Sequence, residues 1–397
     1  MDLNYSAQEE AFRQRVRDFL KASLPQGWGS PGYIASKGDA YVDFLRGWQR
    51  RLYDHGLLGL EWPREFGGQD ASLVQSAIFG EEQARAHAPH PLNVVGLFLT
   101  GPTILAHGTE EQKRRHLRKI LSCEEIWCQG FSEPGSGSDL ASLRTRAELD
   151  GDHFVVNGQK VWTSLAHIAD WCMLLVRTDP AAPKHRGVSY LLVDMKTPGI
   201  RVKPLRQMTG DAEFNEVFFE DVRVPRANLL GGLNNGWQVA MTTLMNERGA
   251  PVISVGTQYY VLFTEIVDLC RRSRLRGAPA LGDPLLRQQI AQLYLELQGM
   301  RLTSYRAFST ILKGDAPGPE GSILKLMWSE TNQRMQDLVM AVQGPASQLM
   351  EGSAHTIDHG RWQFEFLYSR ANTIQGGTSE IQRNTLAERV LGLPRSR

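Results

Sequence analysis

The sequence predicts an α+β chain in three parts: an all-helical domain over residues 1–124, an antiparallel β-barrel or sandwich over 125–232, and a four-helix-type bundle over 233–397. Three observations predict it. Apolar residues recur at helical spacing through about the first 120 positions, with no strand-like alternation. The period then changes to two, and short alternating runs are separated by turn dipeptides. From Asn235 onward the helical period returns in long stretches, the pattern of a bundle.

In the first part, Ser6-x-x-Glu9 is a capping-box pattern, and Phe12, Val16, Phe19 and Leu20 fall on one helical face. A Gly/Pro/Ser-rich connection over 25–38 leads to a helix over 41–55, which breaks at Gly56 and at Trp62-Pro63-Arg64-Glu65-Phe66-Gly67-Gly68. Helices are predicted over 73–86 and 92–107, and Thr109-Glu110-Glu111-Gln112 opens another. In the middle part, strands are predicted over 145–149, 153–156, 160–164, 171–177, 187–194, 200–204 and 215–224. Asp150-Gly151-Asp152 and Asn157-Gly158 are read as hairpin turns. In the last part, the helices are 237–272, with a break near Gly249-Ala250-Pro251, then 285–313, 322–343 and 378–391.

The charge balance is close to neutral, with 44 basic and 43 acidic residues. It gives no sign of nucleic-acid or membrane-surface binding. No apolar run reaches the roughly 18–20 residues of a membrane span. The acidic, polar first residues are unlike a targeting peptide. Cys123, Cys128, Cys172 and Cys270 lack metal-ligand spacing, and so few thiols predict a reduced, cytoplasmic protein without a metal.

The most distinctive stretch is Gly130-Phe131-Ser132-Glu133-Pro134-Gly135-Ser136-Gly137-Ser138-Asp139-Leu140. Glycines let a ligand approach the backbone, consecutive amides can form an anion nest, and serines add short-range donors and acceptors. A phosphate-bearing ligand fits that chemistry; an ordinary turn has the same composition. No Gly-Lys-Ser/Thr follows, so it is not a Walker loop.

Five motifs in order carry a resemblance over essentially the full length. They are Trp62-Pro63…Phe66-Gly67-Gly68; Gly101-Pro102…His107-Gly108-Thr109-Glu110; Phe131 to Asp139; Asn157-Gly158-Gln159-Lys160-Val161-Trp162-Thr163-Ser164; and Gly376-Gly377-Thr378-Ser379-Glu380-Ile381-Gln382-Arg383. With them the chain resembles the acyl-CoA dehydrogenase family. The resemblance implies FAD held by Phe131, Ser132, Gly137, Ser138, Trp162, Thr163, Ser164, Thr378 and Glu380, where many members have glutamine in place of Glu380. It implies an acyl-CoA substrate touched by Ser138 and Arg248, a trans-2-enoyl-CoA product, electron-transfer flavoprotein as acceptor, and a homo-oligomer, dimer or tetramer. Read without its motif, Trp162 is equally a core aromatic of the β domain.

The catalytic base departs from the common pattern. Removing an α-proton from a thioester needs a carboxylate of raised pKa and donors on the thioester oxygen. Where many members carry a glutamate ahead of the C-terminal glycine-threonine, this chain has Gly376. A minority branch carries the glutamate on the first long bundle helix, and the matching residue is Glu247, in Leu244-Met245-Asn246-Glu247-Arg248. The competing reading of Glu247 is a solvated pair with Arg248 or another cation. The Gly376 amide remains a candidate oxyanion donor. The family's Arg-x-x-Phe-Gly stretch reads Cys270-Arg271-Arg272-Ser273-Arg274-Leu275-Arg276-Gly277 here, leaving open which arginine of 271–276 reaches a neighbour's flavin. Two further readings follow: an oxidase or monooxygenase of the same fold, and a non-catalytic or half-site subunit of a hetero-oligomer.

Overall fold

The computed structural model describes residues 5–30, 33, 38–249, 254–313, 318 and 321–394, excepting the side chains of 247–249. In chain order its helices and strands begin with α1 (Ala7–Ser23), α2 (Asp39–Asp54), α3 (Leu73–Arg85), α4 (Gly101–His107) and α5 (Glu110–Ser122). Then come β1 (Trp127–Gly130), β2 (Arg146–Asp150), β3 (His153–Ser164), β4 (Trp171–Arg177), β5 (Val188–Asp194), β6 (Ile200–Leu205), β7 (Phe214–Pro225) and β8 (Leu229–Leu230). Helices α6 (Gly236–Gly249) and α7 (Ser254–Arg272) follow, then β9 (Arg274–Leu275) and β10 (Ala278–Pro279). The last helices are α8 (Pro284–Leu312), α9 (Gly321–Gln343), α10 (Arg361–Asn372) and α11 (Ser379–Thr385). The predicted break between α6 and α7 falls on residues 250–253, which lie outside the described residues.

The chain divides into two compact units, one of 36–71 and 90–247, the other of 1–35, 72–89 and 248–397. The first holds α2, α4, α5, the sheet and α6. Its strands run in the order β6-β7-β3-β2-β4-β5-β8, with β1 beside β4. Among the described residues β6 and β8 end the path and do not pair with each other, so the sheet is open and sandwich-like, not a closed barrel. It is also not purely antiparallel, because β4 pairs in parallel with both β1 and β2. Both faces of β4 and β5 are buried, which explains their unbroken apolar runs.

Two sequence expectations change here. Asp150 and His153 close the β2–β3 hairpin as predicted. Asn157-Gly158, however, is not a turn: β3 runs straight through it, with a register shift between Val156 and Gly158. The Asn157 carboxamide accepts from the Asp221 amide at 2.9 Å and donates to its carboxylate at 2.9 Å, so the pair builds a bulge. A Cβ on Gly158 would stand 2.6 Å from the Thr145 Cα, which is why only glycine fits. The short strand β1, whose residues are almost all buried, had no alternation to reveal it.

In the second unit, α1 packs on α3 and α3 on α7. Buried residues of α7, α8, α9 and α10, among them Ile266, Leu297, Met335, Val339 and Trp362, form one core. Helix α10 was not predicted from sequence. The capping box of α1 is present as read, with Ser6 Oγ accepting from the Glu9 amide.

Candidate active site

The Gly/Ser loop lies in the first unit and is fastened from behind by a buried ion pair. Lys160, on β3, is fully buried, and its Nζ donates to Glu133 Oε1 at 2.9 Å and to the Phe131 carbonyl at 3.0 Å. Glu133 also accepts from the Thr145 and Arg144 amides at 2.8 and 2.7 Å. Burial raises the Glu133 pKa, yet Lys160 and these amides bring it below the ordinary carboxylate value. Burial pushes the Lys160 pKa down despite Glu133. Beside this pair the Val161 amide donates to the Ser132 carbonyl at 2.9 Å. The loop and β3 are thus tied together at successive residues.

The loop's small residues divide by role. Gly130 is packed: a Cβ would meet Leu174 Cδ1 at 2.7 Å and Cys172 Sγ at 3.0 Å. Gly135 and Gly137 have no atom within 4 Å of an added Cβ and no positive φ, so nothing inside the chain requires glycine there. Open space above them suits a ligand lying close to the backbone. Ser136 is structural, its Oγ donating to the Asp139 carbonyl at 2.8 Å. Ser132 and Ser138 have hydroxyls with no protein partner among the described residues.

Trp162 is not a core aromatic. It is 61% exposed and sits at the second bulge of β3, between Lys160 and Thr163. Its φ of 62° is one that a bulky residue rarely holds unless its surroundings impose it. Next to it, the Thr163 hydroxyl is buried without a hydrogen-bond partner. A flat exposed ring, an orphaned buried hydroxyl and an open loop with free hydroxyls fit a planar heterocycle with polar edges. Ser164, half-buried, ends the same strand.

In the second unit, Gly376 and Gly377 form a left-handed turn between α10 and α11, with φ of 64° and 92°. Gln382 Nε2 donates to the Gly376 carbonyl at 3.0 Å, while the Gly376 amide has no acceptor among the described residues. Thr378 caps α11, its Oγ1 accepting from the Ile381 amide at 3.2 Å. Glu380 is exposed, and its own amide and the Thr378 hydroxyl lower its pKa. Thr378, Ser379, Glu380 and Arg383 line a cavity of about 460 Å³. Glu247 and Arg248 fall in the last turn of α6, but their side chains lie outside the described residues. Of the arginines, Arg271 pairs with Asp268, Arg272 with Asp358, and Arg274 with the Gly277 carbonyl at 3.1 Å. Arg276 stands at the exposed tip of the β9–β10 turn, without a partner among the described residues.

Comparison with known proteins decides the family. Descriptions for the acyl-CoA dehydrogenase N-terminal, middle and C-terminal domains match residues 6–124, 128–222 and 234–391. The chain belongs to the acyl-CoA dehydrogenase family. It is 44% identical over 395 residues to acyl-CoA dehydrogenase IpdE1 of Mycobacterium tuberculosis, covering 97% of this chain and 98% of that one. Among solved structures it is similar to the Tcur3481-Tcur3483 steroid ACAD, with a TM-score of 0.85 and 32% identity over the whole of both chains. It is likewise similar to the ChsE4-ChsE5 complex from Mycobacterium tuberculosis, with a TM-score of 0.82 and 32% identity, again over both whole chains.

This acyl-CoA dehydrogenase is therefore an FAD-dependent oxidoreductase. Its helix–sheet–helix order is the family's. Among the described residues no helix is long and apolar enough to cross a membrane. Sequence reasoning named Trp162 and Ser132 through their motifs but passed over Lys160 and Glu133, which stand in those same motifs. The signal available was a lysine at an inward position of an otherwise apolar strand face, opposite a glutamate in the loop.

Proposed function

We propose that this enzyme removes hydrogen from Cα and Cβ of an acyl-CoA thioester to give the trans-2-enoyl-CoA, with Glu247 taking the α-proton. The observation that carries the assignment is Gly376, a left-handed residue with no side chain and an amide lacking an acceptor among the described residues. It can polarise the thioester oxygen but cannot accept a proton. The base must then come from another element, and Glu247 lies in the last turn of α6. Thr243, one turn earlier on α6, has a buried hydroxyl 2.9 Å from Thr103 Oγ1 and 3.4 Å from the Tyr190 hydroxyl, which anchors the helix within the first unit.

FAD, when bound, supplies the acceptor for the β-hydride. Phe131, Ser132, Gly137, Ser138, Trp162, Thr163, Ser164, Thr378 and Glu380 hold it, and Ser138 and Arg248 contact the substrate. Similarity to a structure described as a steroid ACAD supports a bulky, ring-bearing acyl group. Electron-transfer flavoprotein receives the electrons. The four cysteines are free thiols, in keeping with a cytoplasmic enzyme. Arg276 is the arginine we assign to a neighbouring subunit's flavin.

Anaerobic titration of the FAD-loaded protein with straight, branched and steroid-bearing acyl-CoAs tests the reading. The expected result is bleaching of the flavin by a ring-bearing thioester. A Glu247→Gln variant should keep its colour and lose at least ~100-fold in reduction rate, in line with a general base's contribution. Reduction of that variant at the wild-type rate would sink the assignment. A second reading has its own support: two similar structures carry two chain names each, Tcur3481-Tcur3483 and ChsE4-ChsE5. If the purified chain is colourless and binds FAD only when co-expressed with a second homologous chain, it is a half-site subunit.

A further inference from the structure

The buried Lys160–Glu133 pair does more than fasten the loop. The Phe131 carbonyl, which accepts from Lys160 Nζ at 3.0 Å, belongs to the same peptide group as the Ser132 amide. That group is conjugated, so a cation on its oxygen draws charge through the C–N bond and leaves the N–H more positive. The Ser132 amide has no acceptor among the described residues. Lys160 is fully buried, so water does not screen it; Glu133, 2.9 Å away on the same Nζ, partly offsets it. The Arg144 and Thr145 amides hold the carboxylate in place from the other side.

We propose that Lys160 tunes the flavin through the Phe131–Ser132 peptide: its charge strengthens the Ser132 amide as a donor to the flavin's electron-rich pyrimidine edge, and Glu133 sets how much of that charge is felt. The inference rests on the reading that the flavin lies against this loop. A reduced flavin carries more electron density at that edge than an oxidised one. A stronger donor therefore holds the reduced form more tightly and raises the midpoint potential. Lys160 acts through a peptide and not on the reacting atoms, so it is a positioning and tuning residue.

Two substitutions at the pair give opposite signs. Lys160→Gln retains a donor for the carbonyl but removes the charge, and its midpoint potential should fall. Its ratio of FAD affinities, reduced over oxidised, should drop about tenfold, the size of one charge-assisted hydrogen bond. Glu133→Gln removes the offsetting charge and should move the potential upward at a pH low enough to keep the now unpaired, buried Lys160 protonated, and the rise should vanish as pH is increased and that proton is lost. The double variant, with a neutral pair, should lie between the two and should fold even if Lys160→Gln alone is unstable.

The measurement is spectroelectrochemical titration of each FAD-loaded variant, with Trp162→Ala as a reporter of flavin location. The order Glu133→Gln above wild type, then the double variant, then Lys160→Gln supports the proposal. A merely structural pair would lower melting temperature and FAD affinity in both single variants without opposite shifts, and that result overturns it. If Trp162→Ala changes the flavin's visible circular dichroism while the potentials stay at the wild-type value, the tuning role alone fails. If Trp162→Ala leaves the flavin spectrum unchanged, the location of the flavin was wrong, and the inference falls with it.

Discussion

Trp162 is held in a conformation that its own side chain disfavours. A tryptophan at φ 62° costs on the order of 1–3 kcal/mol over an extended residue, and at 61% exposure its ring recovers little of that through burial in the free protein. Trp162→Asn, which tolerates the left-handed region, should therefore stabilise flavin-free protein by about 1 kcal/mol and weaken FAD binding. Denaturant unfolding of the apoprotein beside FAD titration checks both halves; a variant less stable than wild type in the apo form would show that the strain is absent. Gly376 and Gly377 are the opposite case. Their positive φ values suit glycine, and a Cβ on Gly377 would stand 2.6 Å from Gln382 Nε2. That the Gly-Gly-Thr-Ser motif marks a turn was legible. That the Gly376 amide has no acceptor among the described residues was not, because a sequence does not say which backbone donors find acceptors.

At the scale of elements, much of the first unit's order passes through one buried side chain, Asn93. Its Nδ2 donates to the Glu125 and Ile120 carbonyls at 2.8 and 3.2 Å. Its Oδ1 accepts from the Trp127 and Gly96 amides at 2.9 and 3.2 Å. The Asn93 amide in turn donates to Gln49 Oε1 at 2.8 Å, and Gln49 Nε2 reaches the Ile120 carbonyl at 2.9 Å. This network joins α2, the end of α5, the first residue of β1 and the π-helical turn Gly96–Thr100 that precedes α4. Asn93→Ala would strand buried backbone groups on all of these elements and should cost about 3 kcal/mol or more. A loss below about 1 kcal/mol in chemical unfolding would mean that water replaces the carboxamide.

None of this was readable in advance. Asn93 stands in an apolar stretch that reads as one continuous helix over 92–107, and periodicity locates a buried face without saying where a polar group on it will bond. The same limit explains the Asn157-Gly158 reading. The dipeptide is a hairpin signal when the strands around it pair with each other, but here both flanks pair with β7. The long runs with clean patterning, β4, β5 and β7, lie within a residue or two of their predicted ends.

At the scale of the whole molecule, some large apolar side chains stay exposed among the described residues. On α8, Leu295 and Leu302 are 64% and 67% exposed and lie two helical turns apart, on one face. An isolated monomer gains nothing from such a stripe, whereas a subunit interface would cover it. We place an oligomer contact on this face. The protein should run as a dimer or tetramer in light scattering, and Leu295→Glu with Leu302→Glu should shift it to a smaller species; an unchanged mass would move the interface elsewhere. The helix–sheet–helix order was legible from the change in apolar period, and the cofactor through the resemblance that five short motifs carry. The acyl group was not, because no single motif encodes the shape of a pocket.

The division into two units also sets an order of events on the ribosome. Residues 36–71 and 90–247 complete their own unit by the time α6 is made, so the sheet can form while the chain is still being extended. Helix α3, though made before the sheet, packs on α7 as well as on α1. Helix α7 emerges only after the whole sheet has been made, so α3 waits for that partner while the sheet forms. Until then the side of α3 that α7 covers stays open, and that interval is when a nascent chain most needs a chaperone's protection.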